Sequence, residues 1–336
     1  MFSPQPMKKS YYFLVLSLAL FAGGIGFIIA RNIPVPVSQQ TTYTEPKENC
    51  PTNELRLGNA GGYKFINPLL ECDSYQPSQL TSVASLQKRL SDSVQQFVKL
   101  GMADTVAVYY RDLNFGPWIG VNEQAKFLPA DMLSVPVAIA VFKKAENNAG
   151  FLNKQVKYVV NEGVDQGDSA ALSNGSQYTI LQITEQMVSH NNDAAKDALE
   201  KELGDDFISQ VMKDIGVNTT TGMAVSAKDY SGFFRLLYNA TYLSRSNSEL
   251  LLAMLHRNKY NQGIGAGFPT EIALANMHSE HSLGKRVMVH ECGVVYVPHS
   301  AYLLCVMSIG KDKAQLSTIV KQLSSLVYTE TTSPTQ

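Results

Sequence analysis

The spacing of apolar residues predicts a helix followed by a strand hairpin in the first part of the folded region. Apolar side chains recur with helical period over residues 78–101, which predicts an amphipathic helix. Residues 105–113 and 118–121 are rich in β-branched and aromatic side chains and flank a polar turn at residues 114–116. This order predicts two strands joined by a tight turn.

The middle of the chain has helical periodicity. Residues 127–144 form an apolar run that predicts a buried helix, and residues 178–203 predict two helices in succession. Another helix is predicted over residues 226–243. Because no strand pattern interrupts these segments, we expect the helices to form one lobe.

Strand patterns return near the C-terminal end. Residues 287–297 and 301–309 predict an antiparallel hairpin, and residues 313–328 predict a terminal amphipathic helix. Strands at both ends with helices between them predict an α+β fold, in which an antiparallel sheet built from both ends of the domain carries an inserted all-α lobe. We expect residues 76–330 to form one compact domain and residues 331–336 a disordered tail.

The N-terminal residues predict a transmembrane helix. Residues 11–30 contain no charged side chain and follow Lys8 and Lys9. As a helix they would extend about 30 Å, the thickness of a bilayer core. The paired lysines favour a cytoplasmic tail at residues 1–10 and a single-pass anchor in the cell membrane, with the bulk of the chain extracytoplasmic. Residues 31–75 would then form an extracytoplasmic stalk or linker.

Composition and charge narrow the class of protein. Hydrophobic residues make up 45% of the chain and charged residues 17%, which is typical of a folded domain and excludes wholesale disorder. The formal net charge is −1, and no basic run with interleaved aromatic residues occurs. Nucleic acid is therefore not an expected partner.

Four cysteines suit an exported chain. Cys50 and Cys72 lie in the predicted stalk, where we expect a disulfide between them. Cys292 and Cys305 lie on either side of the predicted hairpin turn and would face each other across it, within reach of a disulfide. For this second pair, two buried free thiols remain the alternative.

The predicted helix over residues 127–144 opens with two polar side chains that need an explanation. Asp131 and Ser134 stand one helical turn apart at its start. The simplest hypothesis is that Asp131 caps the helix, accepting its free N–H groups and complementing its dipole, while Ser134 bonds back to a helix carbonyl. Pro136 is expected to remove one helical hydrogen bond. The sharper alternative makes Asp131 a base for Ser134.

Four longer stretches of the chain carry a family resemblance. They are VAVYYRDLNFGPWIGVNEQAKFLPA, VSHNNDAAKDAL, SAKDYSGFFRLLYNATYLSRSNSELLLAML and MHSEHSLGKRVMVHECGVVYVPHSAYLLCVMSIG. Together they resemble the class A β-lactamases and penicillin-recognising serine peptidases, whose signature is S-x-x-K, S-D-N and K-T-G. The resemblance extends over residues 104–328 and implies a β-lactamase/transpeptidase-like fold and a bacterial source.

The same resemblance implies that the nucleophile motif is altered. Asp131 stands where the family has its catalytic serine, and Ser134 stands where it has the lysine that tunes the serine's proton. No shift of frame restores the motif, because the residue three positions after Ser134 is Val137. We therefore expect the nucleophile and its lysine to be missing.

The second motif is also altered. By resemblance, His190, Asn191 and Asn192 occupy the S-D-N positions, so the hydroxyl that helps to pass a proton is replaced by an imidazole. Asn192 retains the amide that would hold a substrate carbonyl. An alternative alignment, in which the S-D-N positions are displaced by one residue along this chain, remains open.

The third motif corresponds to His281, Ser282, Leu283 and Gly284, which together with Asn191 are expected to line the ligand cleft. Its lysine is absent, whereas its glycine, which lets a ligand approach the strand, is kept. Relative to the family, the cleft loses two lysines and gains one carboxylate, a change of about three charges. Such a cleft should repel the carboxylates of penicillins and peptidoglycan peptides.

These expectations describe a membrane-anchored, extracytoplasmic β-lactamase-like domain that has lost acyl-transfer catalysis. It would act without a cofactor as a binding or scaffolding module for peptidoglycan or an envelope protein. The alternative is an active serine hydrolase, of the β-lactamase or D,D-peptidase type, with rearranged site groups. A third hypothesis places a metal at Asp131, His190 and His281, but no ligand spacing demands it and no metal is expected.

Overall fold

The computed structural model describes most of the chain between residues 62 and 332. The described residues are 62–68, 79–167, 172–217, 224–298 and 300–332. No helix within these ranges is long and apolar enough to cross a membrane. The predicted anchor, most of the predicted stalk and the pair Cys50 and Cys72 lie outside the described residues, so they stay predictions.

Strands from both ends of the domain form one antiparallel sheet. The described part of the chain contains, inside and outside this sheet, the strands β1 (Thr105–Asp112), β2 (Trp118–Val121), β3 (Lys126–Phe127), β4 (Gln155–Lys157), β5 (Gln177–Thr179), β6 (Val225–Ser226), β7 (Ala273–Leu283), β8 (Arg286–Tyr296) and β9 (Tyr302–Gly310). The main sheet has five strands in the order β2-β1-β9-β8-β7. The first two strands thus lie beside the last three, which confirms the predicted sheet.

The helices pack on both faces of this sheet. They are α1 (Gln79–Lys99), α2 (Ser134–Glu146), α3 (Ile180–His190), α4 (Asp193–Leu203), α5 (Asp205–Asp214), α6 (Ala227–Tyr238), α7 (Arg245–His256) and α8 (Lys313–Thr332). Helices α1 and α8 cover one face, and α2 to α7 form the lobe inserted between β2 and β7. The helix predicted over residues 226–243 ends early, because Ala240 has a positive φ of 48° that no helical residue adopts.

Alternation along β1 divides the hydrophobic core into two layers. Val106 and Val108 pack with α1 and α8, whereas Ala107 and Tyr109 pack with the helical lobe, because successive strand side chains point to opposite faces. Each fully buried apolar side chain contributes about 1.5–3 kcal/mol of burial free energy. The sheet is therefore stabilised from both sides, and β8 and β9 are buried along nearly their whole length.

Cys292 and Cys305 form a disulfide in the structure. They are directly opposed in the β8–β9 register, with their Cα atoms 3.9 Å apart. Both side chains are fully buried. Of the two alternatives that the sequence leaves open for this pair, the structure favours the bridge.

Part of the predicted stalk docks on the domain. Glu249 of α7 accepts hydrogen bonds from the backbone N–H groups of Lys64, Phe65 and Ile66 at 2.8–2.9 Å. The side chain of Phe65 is buried against the rings of His256 and Tyr296. One carboxylate thus holds three backbone donors of an otherwise irregular segment, so the packed domain includes residues well before 76.

We expect Glu249→Gln to loosen this segment, because an amide has one acceptor oxygen and its NH₂ group faces donors. Hydrogen bonds to a charged group are worth about 1.5–3 kcal/mol each, so amide hydrogen exchange at residues 64–66 should accelerate by at least about tenfold. Glu271→Gln, at an exposed position, is the matched control. Unchanged protection in the Glu249 variant would show that apolar packing alone holds the segment.

Candidate functional site

The segment before α2 is a strained turn. Ala130 has a positive φ of 45°, a conformation that costs a non-glycine residue about 1 kcal/mol or more. Residues Ala130–Leu133 then form a 3₁₀ turn, and α2 begins only at Ser134. The prediction of one continuous helix over residues 127–144 is therefore wrong at its N-terminal end.

The predicted capping role of Asp131 is also wrong. Neither the 3₁₀ turn nor α2 has a side-chain cap hydrogen bond. Asp131 instead turns toward the sheet, where its Oδ2 accepts a hydrogen bond of 3.1 Å from the hydroxyl of Ser279 on β7. The carboxylate thus lies at the junction of the helical lobe and the sheet.

Pro136 disturbs α2 less than the sequence predicts. It lies in the first turn, where backbone N–H groups have no partner within the helix. The carbonyl four residues earlier belongs to Met132, and it accepts a hydrogen bond of 2.7 Å from the buried hydroxyl of Tyr230 on α6. A side chain of the lobe thus satisfies the acceptor that a proline cannot reach, and it ties the strained turn to α6.

Asp193 and Lys196 of α4 complete the charge cluster around Asp131. Lys196 donates to Asp193 at 2.5 Å, and its side chain is 14% exposed. Burial raises the pKa of Asp131 above its ordinary 3.8, and the nearby Asp193 raises it further, while Ser279, Lys196 and His281 act in the opposite direction. Burial acts to lower the pKa of Lys196, but its hydrogen bond to Asp193 and the two carboxylates outweigh burial and raise it.

The second motif forms the turn between α3 and α4. Asn191 ends α3 with a left-handed φ of 52°, and buried Asn192 begins α4 by accepting a hydrogen bond from the backbone N–H of Ala195. The Asn192 amide oxygen also accepts from the hydroxyl of Tyr158 at 3.1 Å. Its acceptor is thus engaged within the protein, as a structural cap.

Asn191 connects this turn to β7, the last strand in the order of the main sheet. Its Nδ2 donates to the carbonyl of His278 at 3.1 Å, and the His278 ring stacks on Tyr260 with centroids 3.8 Å apart. The half-buried His190 lies beneath a loop that includes Gly167, where an added Cβ would approach the His190 carbonyl oxygen to 1.8 Å. Only glycine allows that loop to pass so close to the motif.

The predicted third motif lies at the far end of β7. His281, Ser282, Leu283 and Gly284 are exposed, and Gly284 has a positive φ of 61° in the turn to β8. His281 is near enough for its charge to act on Asp131. The β7 hydroxyl that contacts Asp131 belongs to Ser279, which is fully buried.

His290 supports the chain just before Asp131. It is fully buried on β8 and lies opposite Ser279 in the strand register. Its Nδ1 accepts from the backbone N–H of Ser308 at 3.3 Å, and its Nε2 lies 3.2 Å from the carbonyl of Leu128. Burial lowers its pKa to about 4, so the imidazole is neutral near pH 7 and donates from Nε2 to Leu128.

Ser279, Asp193 and Lys196 surround Asp131 without belonging to the predicted site. Asp193 and Lys196 could have been suspected, because Asp193 directly follows Asn192 and Lys196 lies one turn further along the same predicted helix. Lys196 restores one of the two cations expected to be lost, but Asp193 offsets it. Among the described residues, no group of three His, Cys, Asp or Glu side chains is placed to hold a metal ion.

An antiparallel sheet with an inserted helical lobe, and a polar cluster at their junction, define a β-lactamase-like α+β domain. The model of the family described as "Beta-lactamase enzyme family" matches residues 86–331. The chain belongs to this family. No curated protein matches the sequence significantly.

Solved structures show the same fold at low identity. A mutant of PBP-A, solved as its acyl-enzyme complex with penicillin G, is 20% identical with a TM-score of 0.63, over 73% of this chain and 96% of that chain. A β-lactamase from Chitinophaga pinensis DSM 2588 is 15% identical with a TM-score of 0.66, over 71% and 98%. A β-lactamase from Francisella tularensis is 16% identical with a TM-score of 0.64, over 71% and 97%.

We expect Asp131→Asn to raise the stability of the domain at neutral pH. The folded-state pKa of Asp131 is raised, so its contribution to stability is fully present below the unfolded value of about 3.8 and is lost as the pH rises through the folded pKa. An amide carries no charge to desolvate and still accepts from Ser279. Denaturant unfolding from pH 3 to 8 should show a gain that vanishes at the acid end.

Asp197→Asn is the matched control on the exposed side of α4, where neutralising a carboxylate should change stability little at any pH. A variant at Asp131 that is less stable than the wild type at pH 7 would show that the carboxylate makes a net favourable contact.

Proposed function

We propose that this protein is a membrane-anchored, extracytoplasmic β-lactamase-like domain that binds a cell-envelope ligand without serine acyl transfer. The observation that carries the proposal is the carboxylate of Asp131 just before α2, engaged by the Ser279 hydroxyl. The family resemblance gives this position to the nucleophilic serine. A carboxylate there lacks the hydroxyl from which the acyl ester of a serine enzyme is built.

The nearby hydroxyls support the same proposal. Ser134 is 2% exposed and Ser279 is fully buried, so neither presents its oxygen to a substrate. The Ser279 hydroxyl also donates to Asp131. By analogy with serine proteases, the loss of a nucleophile alone lowers turnover by about 10⁶.

Charge around Asp131 supports a ligand other than a penicillin. Asp131 and Asp193 supply two carboxylates against the single ammonium of Lys196, so an added carboxylate on a ligand would gain little there. Amide and hydroxyl groups suit these side chains better. The ligand that we propose is an amide-bearing part of peptidoglycan or of an envelope protein.

The contact between Ser279 and Asp131 favours a second candidate function, an active hydrolase with rearranged groups. A carboxylate with a raised pKa is a stronger base than an ordinary aspartate, and its hydroxyl partner already donates to it. A local opening at the edge of β7 would be needed to expose that hydroxyl. This candidate names Ser279, and not Ser134, as the nucleophile.

The purified full chain should neither hydrolyse a chromogenic cephalosporin nor become labelled by a fluorescent penicillin, because the nucleophile position holds a carboxylate. Initial rates should equal those of buffer, and gels should show no labelled band. Labelling or turnover that disappears in Ser279→Ala but persists in Ser134→Ala would establish the rearranged hydrolase and end the non-catalytic proposal.

Restoring the motif gives an independent test. The double variant Asp131→Ser, Ser134→Lys returns the serine and lysine to the start of α2, one turn apart on the same face. We expect it to acquire slow penicillin labelling, while each single variant stays unlabelled. No labelling in a folded double variant would mean that the cleft has diverged at more than these two residues.

A further inference from the structure

A cavity lies between α6 and the outer strands of the sheet, separate from the cluster around Asp131. Its volume is about 240 Å³, which is room for several water molecules. Three cationic side chains and one carboxylate are among its lining residues, which are Tyr109, Arg111, Trp118, Ile215, Gly216, Val217, Lys228, Asp229, Ser231, Gly232, Arg235 and Leu303. The acyl-transfer motifs contribute none of these.

One face of α6 forms a wall of this cavity. Lys228, Gly232 and Arg235 are spaced by four and three residues, so they lie along a single stripe of the helix. Lys228 and Arg235 are exposed at the two ends. Gly232 lies between them, and an added Cβ there would meet no atom within 4 Å. The glycine thus leaves open the space that the two cations flank.

Aromatic side chains form the opposite wall. Tyr109 and Trp118 stack with ring centroids 5.7 Å apart, and Trp118 is 43% exposed. The ammonium of Lys228 lies 4.3 Å from the centroid of the Trp118 ring, within the range of a cation–π contact. Such a contact is weak at an exposed site, so an anion can draw Lys228 away from the ring.

The carboxylate on the rim does not neutralise this wall. Asp229 forms an ion pair of 2.5 Å with Lys126 of β3, and it also accepts hydrogen bonds at the N-terminus of α6. Its charge is thus already matched by a cation outside the cavity lining. Lys228 and Arg235 remain as the two cations that α6 contributes to the lining.

We propose that this cavity binds the oxyanion of a small sugar-sized ligand, with Lys228 and Arg235 holding the charge and Trp118 covering the ring. Guanidinium and ammonium donors make the strongest hydrogen bonds to phosphate and carboxylate oxygens. The indole face that Lys228 leaves when it turns to an anion suits the apolar side of a sugar ring. The ligand class is therefore a phosphorylated or carboxylated monosaccharide.

Trp118 provides a direct readout, because it is the only tryptophan of the chain. The full chain would be titrated with glucose 6-phosphate, glucuronate and glucose while its intrinsic fluorescence is followed. We expect a saturable change with at least one of the two anions and none with glucose. The anion that binds identifies the oxyanion, and a response to neither anion overturns the proposal.

Variants test the assignment of the residues by calorimetry, which does not depend on the fluorescence of Trp118. Lys228→Gln and Arg235→Gln should each weaken binding of the anion by about tenfold or more, the loss of one charge-assisted hydrogen bond. Gly232→Leu should abolish it by filling the cavity. Lys321→Gln, at an exposed position on α8, is the matched control and should bind normally.

Equal affinity in Lys228→Gln, Arg235→Gln and the control would overturn the proposal even if the wild type binds an anion. Binding should also fall as salt is raised from 50 to 500 mM, because the recognising charges are solvent-accessible.

Discussion

The hydrogen bond between Ser279 and Asp131 joins the two halves of the domain, and the rest of the candidate site is arranged around it. It links residues 148 positions apart, one on β7 and one in the turn before α2. The turn is strained at Ala130 and is held from the other side by Tyr230. Asp131 is partly buried, and because a carboxylate removed from water is costly unless its oxygens are engaged, the position of Ser279 fixes where the lobe meets the sheet.

Periodicity predicts the framework well because the sheet and its helices follow simple rules. The β8–β9 hairpin, the strands on either side of residue 115 and helix α8 all begin within a few residues of their predicted starts, since buried strands are mostly apolar and helices repeat every 3.6 residues. The turn at Ala130 could not be predicted in this way. Its backbone conformation depends on contacts with α6 and β7, and the local sequence alone indicates a helix.

The third motif shows a different limit. The chain contains two His-Ser pairs on β7, one at His278 and Ser279 and the other at His281 and Ser282. A strand alternates faces with period two, so a displacement of three residues carries a side chain to the opposite face. Motif matching favours the second pair because Gly284 follows it. The pairing of β7 with β8 decides which of the two pairs faces the interior, and it buries Ser279 opposite His290.

Two unfavourable features coincide where the lobe meets the sheet. Ala130 occupies a backbone region that L-residues avoid, and Asp131 keeps a carboxylate in a setting that raises its pKa. Each lowers the stability of a domain whose net stability is only some 5–15 kcal/mol. Local rules are broken in this manner mainly at functional sites. If the site only completed the packing of α2, an asparagine or serine would satisfy Ser279 without the charge. The presence of the charge is an argument for a ligand that uses it, and it favours a binding role over an inert remnant.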